Sequence, residues 1–541
     1  MQRYIRWTLA LLLGLVLVIV LWRWNTRAAP FMPLPVERQK LGHISLPSSG
    51  RADSVCLTDL DGNGEPELLM LCTEFPRSGI PRVTGMWCET VSATQLAHPL
   101  PVMPILPSVA QQEGMGLVPF EVGNPPLLRE IIGLDPSTHQ ILKVRRQNGQ
   151  WQVEPIQKLQ GERFKEGFWT DIDGDGRYDD ALLLTQSGKL AWLEIDTHGR
   201  WHLRTTNPNL IPTPAQEHLQ MKASLASIPP PRAAGVRFVM TRITMLILKQ
   251  SRIPDIDGDG QAERLTKAGL QLSRTGRAIT LDEPGWIRQA IFVAELDGEP
   301  PLEIISTWIH STSFSTYQIT VDRFDGNQCR RVARWMAPAR TRIHAVWCKD
   351  IDGDGRAEIV LTSSASLPKP TLHWRLLRLE KGKFQQTRHI QRLSESLEIG
   401  AWYLDLSNTL AFETQGDQAR RRWFWETPRR TTYTLLAGLP RGSAGADPSR
   451  WETRMVEDMR IAWAGDYDGD GTGEIVLQKV GAGEESWLLQ YREDGWYRER
   501  LSAGRRLITV LPAHIKGQPR LILVYQDKGI EIESLAISHE K

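Results

Sequence analysis

Five nine-residue segments concentrate oxygen-bearing side chains at one spacing: Asp59–Glu67, Asp171–Asp179, Asp255–Glu263, Asp350–Glu358 and Asp466–Glu474. In each, a carboxylate or Asn stands at positions 1, 3 and 5, an acid at position 9, and Gly at positions 4 and 6. The chemistry this suits is the binding of calcium, which takes six to eight hard oxygen ligands at about 2.3–2.6 Å. A coiled loop supplies them through alternate side chains and one backbone carbonyl, expected here at position 7. Gly permits the backbone conformations such coiling demands. Without a cation, acids at this density would repel one another and draw protons.

The first half of the loop matches an EF-hand, and position 12 separates the two. An EF-hand places a bidentate Glu there, whereas this chain has Met70, Leu182, Thr266, Leu361 and Leu477. The runs after the loops, such as Leu68–Leu71, Ala181–Leu184 and Ile359–Leu361, are short and Leu-rich or β-branched, the pattern of a buried strand. The acid at position 9 therefore opens a strand.

Weaker copies fill the intervals. Glu295–Glu303 keeps acids at the same offsets, Glu121–Pro126 precedes Ile131-Ile132, and Asp405–Glu413 is more worn. Counting all of them, starts fall at 59, 121, 171, 255, 295, 350, 405 and 466. Their mean period is that of a four-stranded propeller blade. A second landmark recurs 28 to 32 residues after a start: Gly149, Gly199, Gly326, Gly382 and Gly495, most of them followed closely by an aromatic residue. A turn Gly between strand-like runs marks a β-hairpin, expected here as the outer strands of each blade. The predicted fold is all-β: a seven- or eight-bladed β-propeller over 46–541, with a Pro-rich insertion near 207–231.

With Asp-x-Asp-Gly-Asp-Gly-x-x-Glu-Ile-Val-Leu at Asp350–Leu361 and Asp466–Leu477, recurring over about residues 50 to 480, the chain resembles the FG-GAP or VCBS repeats of bacterial surface proteins and the propellers of integrin α-subunits. The loop carries the resemblance, since the Phe-Gly and Gly-Ala-Pro signatures are absent. It implies calcium (Ca2+) held by Asp59, Asp61, Asn63 and Glu67; by Asp171, Asp173, Asp175 and Asp179; by Asp255, Asp257, Asp259 and Glu263; by Asp350, Asp352, Asp354 and Glu358; and by Asp466, Asp468, Asp470 and Glu474.

The N-terminus reads as membrane-directed. An uncharged stretch from Thr8 to Leu21 is flanked by Arg3, Arg6 and Trp7 and by Trp22, Arg23, Trp24 and Arg27. As a helix, Trp7 to Trp22 spans roughly 24 Å, and flanking Trp and Arg can cover the shortfall against a ~30 Å hydrocarbon core. The same run fits the apolar region of a cleaved signal peptide. Arg23 and Arg27 crowd the cleavage zone around Ala28 and Ala29, which favours an anchor over 1–27, followed by a Pro-rich stalk over 28–45 with Pro30, Pro33 and Pro35.

The calcium argument sets the compartment. At about 1 mM calcium a site of ~10⁻⁴ M adds roughly 1.4 kcal/mol, and five would add about 7 kcal/mol, comparable with the ~5–15 kcal/mol net stability of a domain. Cytosolic calcium leaves such sites empty, so the propeller is expected on the extracytoplasmic side with structural ions. There the five Cys could form one or two disulfides, for example Cys329 with Cys348, or stay unpaired in strands.

No Walker loop, H-E-x-x-H, G-x-S-x-G or dinucleotide fingerprint is present. A net charge of +2 excludes bulk attraction to polyanions, and no nucleic-acid partner is expected. Alternating Arg420, Arg421, Arg422, Trp423, Trp425, Arg429 and Arg430 could face an acidic glycan, a lipid headgroup or a protein, or form a charged edge strand. The expected function is a membrane-anchored module that binds a protein or glycan ligand. The alternatives are a polysaccharide lyase or hydrolase on the same scaffold, and a structural subunit of an envelope assembly.

Overall fold

The computed structural model describes residues 30–46 and 50–58 and the segments 67–74, 82–88, 94–96, 98–100, 103–104, 131–134, 141–147, 150–157, 164–170, 180–185, 190–195 and 201–205. It further describes Ile256, residues 264–265, 269–272 and 275–281, and 283–538 with interruptions at 299–300, 314–315, 340, 366–369, 394–395, 398–401, 407, 418–430, 481–484, 516 and 528.

Alternating and apolar runs give strands throughout, and the only helical turns among the described residues are the 3-10 segments Gly442–Ala444 and Pro448–Arg450. The all-β expectation therefore holds. No helix among these residues is long and apolar enough to cross a membrane. The expected anchor over 1–27, the insertion near 207–231 and the Arg/Trp patch at 420–430 lie outside the described residues.

The strands form nine sheets among the described residues, running in chain order as 50–99, 103–157, 164–205, 264–280, 286–336, 341–392, 396–457, 459–503 and 506–537. Neighbouring strands are antiparallel, apart from Met32–Pro33 beside Gly495–Ala503 and Thr94–Leu96 beside Val36–Ser45. By position in the chain, one repeat start falls within or just before each of the first eight sheets. The ninth sheet joins its first two strands, Arg506–Ile515 and Gln518–Gln526, by a tight turn and carries no acidic loop. Loop spacing predicts seven or eight units because it cannot count a sheet without a loop.

Within a sheet, burial follows strand order. The second strand, as in Glu358–Ala365, is buried on both faces and opens with the apolar run Ile359 to Leu361, while the fourth, as in Lys383–Arg392, is mostly exposed and polar. The predicted glycine hairpin joins the third strand to the fourth: Gly382, at φ +73°, links Thr371–Glu380 to Lys383–Arg392. In six sheets the first strand carries a bulge, at Asp53, Lys165, Gln289, His344, Ala462 and Ile508. Each bulge increases local twist in the strand that leads into the loop edge.

Among the described residues, the sheets from 286 to 537 pack face to face in chain order. One apolar cluster joins Trp347 and Trp374 of the 341–392 sheet to Phe412, Leu435 and Trp451 of the next. Others join the 286–336 sheet to 341–392, the 396–457 sheet to 459–503, and 459–503 to 506–537. A further cluster sets Ile508, Ile522 and Ile532 of the last sheet against Val55, Leu68 and Met70 of the first.

Within the segment 28–45 expected as a stalk, residues 36–45 are part of a sheet. Val36–Ser45 is a ten-residue strand running antiparallel to Ile530–Ile537, with Val36 opposite Ile537 and Ile44 opposite Ile530. Its outward residues are polar, which conceals the strand, but Ile44 and the preceding Leu34 are buried in the interfaces on either side. No disulfide joins any of the five cysteines. Cys329 and Cys348 lie in different sheets, and burial pushes the thiols of Cys56, Cys88 and Cys329 up to about 12.

Candidate metal centre

Two of the five full loops are described. In both, the fold brings position 1, position 3 and position 9 together. Asp350, Asp352 and Glu358 present oxygens within 4.8 Å of one another, and so do Asp466, Asp468 and Glu474. The weaker copy does the same with Glu295, Asp297 and Glu303. Oxygens bound to one calcium at about 2.3–2.6 Å lie up to roughly 5 Å apart, so the donor sets fit in type and spread.

The coil that gathers them is backbone-driven. The Asp350 carboxylate accepts from the Gly353 and Gly355 amides at 2.7 and 2.9 Å. Asp466 accepts from Gly469 and Gly471 at 2.8 and 2.9 Å. All four glycines have positive φ, between +73° and +86°, where a side chain would be strained. The acid at position 9 then anchors the loop to its strand by accepting the position-2 amide: Leu296 to Glu303 at 2.9 Å, Ile351 to Glu358 at 3.1 Å and Tyr467 to Glu474 at 3.3 Å.

Position 5 is placed differently from the expectation of a shared site. Asp354 is held by the Arg356 guanidinium at 2.6 Å, which with the loop amide draws its carboxyl below the usual range. Asp470 accepts from the Thr472 amide at 2.6 Å. Of the first loop only Glu67 is described. It is buried and accepts from Trp87 Nε1 at 3.3 Å. The other implied ligands, Asp59, Asp61, Asn63, Asp171, Asp173, Asp175, Asp179, Asp255, Asp257, Asp259 and Glu263, lie outside the described residues.

The three centres differ in what faces the closing Glu from the third strand. Arg378 donates through Nε to Glu358 at 3.0 Å and through its terminal nitrogen to Asp352 at 2.6 Å. Arg323 makes the equivalent bonds to Glu303, at 2.9 Å through Nε, and to Asp297. At the third centre the residue is Gln490, whose amide donates to Glu474 at 2.8 Å. Burial pushes all three glutamates up, against the hydrogen bonds they accept. Glu474 is raised well above the usual range, with the carboxylates of Asp468 and Asp470 adding to burial.

These facing residues escape a reading built on loop spacing. Their one sequence signal is an offset of twenty residues from the closing Glu, Glu303 to Arg323 and Glu358 to Arg378, which shortens to sixteen at Gln490.

Neighbouring loop edges touch. The Ala357 amide donates to the Glu295 carbonyl at 2.6 Å, the Lys349 ammonium to the Leu406 carbonyl at 2.6 Å, and the Gly473 amide to Asn408 Oδ1 at 3.2 Å. The loops therefore form one continuous edge from 295 to 474.

No family model matches the chain, and no curated protein does. Among solved structures, the chain is similar to Sqt1 of Chaetomium thermophilum, with 8% identity over 92% of this chain and 98% of that one and a TM-score of 0.33. A likeness of that size carries no argument about fold or function.

Proposed function

We propose that this chain is a β-propeller whose acidic loops hold structural calcium, fixed on the extracytoplasmic side of a membrane by its N-terminal segment, and that it acts as a protein- or glycan-binding module. The observation that carries the reading is the 466 loop. Asp466, Asp468 and Glu474 converge there at the head of a strand, with a glycine coil of the kind calcium requires and a neutral amide as the facing group. A ring is the arrangement these contacts favour, because the sheets from 286 to 537 pack in chain order, the last packs on the first, and the strand 36–45 completes the sheet made by the C-terminal segment. The ions in this reading are structural: each lies at a loop edge and ties it to a buried strand.

The test is a melting curve of the chain in about 1 mM calcium and again in excess chelator. Chelation should lower the midpoint, since each site of ~10⁻⁴ M contributes roughly 1.4 kcal/mol at that concentration. Coincident curves would refute a structural role for calcium. A soluble version must begin before Met32, because a start near residue 40 would cut the Val36–Ser45 strand.

A further inference from the structure

We propose that Arg323 and Arg378 are built-in cations that close the 295 and 350 loops without metal, and that the residue facing a loop's closing Glu decides whether that loop takes calcium. The inference rests on the reading of the acidic loops as calcium sites and divides them into two kinds.

The argument begins with register. Glu303 lies directly opposite Arg323 on the third strand, and Ile359 opposite Leu377 brings Arg378 opposite Glu358. Glu474 lies opposite Gln490. The same place in three sheets thus carries Arg, Arg and Gln. From that place each guanidinium reaches both the position-9 Glu and the position-3 Asp, the two side chains that a calcium ion would also need to bridge. The bonds are charge-assisted, and the planar fork fixes both acids at once. A divalent ion drawn to those oxygens at about 2.3–2.6 Å would meet a guanidinium already on them, and like charges that close repel strongly in a partly buried site.

Position 7 follows the same division at the two full loops. Arg356 takes the position-5 acid of the 350 loop, so four carboxylates, at 350, 352, 354 and 358, meet two guanidiniums. The 466 loop has Thr472 at position 7 and Gln490 opposite its Glu. A neutral amide satisfies one Glu474 oxygen and supplies no charge to compete with a metal.

Calcium stoichiometry of the full chain in detergent, measured by equilibrium dialysis with radioactive calcium at about 1 mM, separates the possibilities. Asp352→Asn should leave the number of bound ions unchanged, Arg378→Gln should raise it by one, and Gln490→Arg should lower it by one. One ion lost in Asp352→Asn would overturn the proposal while leaving calcium binding by the loops intact, as would an unchanged count in Gln490→Arg. Where Arg378→Gln folds only with calcium present, the dependence itself counts as the gained site. No bound calcium in the wild type or in Arg378→Gln would instead overturn the calcium reading of the loops, and this proposal with it.

Discussion

Replacing Glu37 and Ala536 by cysteine should lock the strand Val36–Ser45 to the last one. The two residues are direct partners in the antiparallel pair of Val36–Ser45 with Ile530–Ile537. Directly opposed residues in such a pair have Cα atoms about 4.5–5.5 Å apart, inside the range a disulfide spans. The bond would close a loop of roughly 500 residues, for which the chain-entropy relation gives about 6 kcal/mol as an upper limit. Against this stands the loss of the ion pair between Glu37 and Arg520 at 3.1 Å, with Glu37 64% exposed. An exposed pair of that kind contributes about 0–1 kcal/mol. Three of the five native thiols compete poorly, because burial pushes those of Cys56, Cys88 and Cys329 up to about 12, far from the thiolate form. The assay is peptide mapping after mild oxidation, followed by urea unfolding of the oxidised and reduced forms. The oxidised form should resist several kcal/mol better. A pair of thiols that stays unlinked, or a link that leaves the unfolding midpoint where it was, would refute the assigned register and the joining of the two ends.

Two further expectations bear on the sheet interfaces. At Gly438 a β-carbon would overlap the ring of Tyr491 in the neighbouring sheet. Gly438→Ala should therefore cost about 1–3 kcal/mol in urea unfolding, with Tyr491→Ala relieving part of the loss in the double variant; strictly additive losses would refute the clash. Burial pushes the Glu413 carboxyl up to about 7, partly opposed by the Ile461 amide and Arg460. Its folded value lies above the ~4.3 of an unfolded Glu, so its contribution is fully present below about pH 4.3 and lost as pH rises to 7. At about 1.4 kcal/mol per pH unit that amounts to at most about 4 kcal/mol. Glu413→Gln should gain midpoint over the wild type at pH 8 and lose that advantage at pH 4; parallel pH curves would refute it.

Much of this architecture is written locally. The strand that follows a loop opens with residues apolar on both faces, as in Glu358-Ile-Val-Leu361 and Glu474-Ile-Val-Leu477, so a run of residues suffices to find it. The coil of the loops is equally local, since position 1 bonds to amides three and five residues on. What escapes is set by register between distant segments. Arg323 and Arg378 matter because of the strand opposite, and nothing adjacent to them in sequence marks their role. Val36–Ser45 exposes four consecutive polar residues, Glu37 to Lys40, and its identity as a strand depends on a partner almost five hundred residues away. The ninth sheet is invisible for a related reason, as it lacks the acidic turn by which its fellows are recognised.

The pairing of residues 36–45 with 530–537 also sets an order of events during synthesis. A ribosome adding about 5–20 residues per second needs roughly 25–100 s to travel from one partner to the other. Throughout that interval the early strand presents unpaired backbone groups, the kind of edge on which nascent chains associate with one another. Lys40, Glu37 and Arg38 along that edge are the charges by which such edges are kept apart until the C-terminal residues emerge.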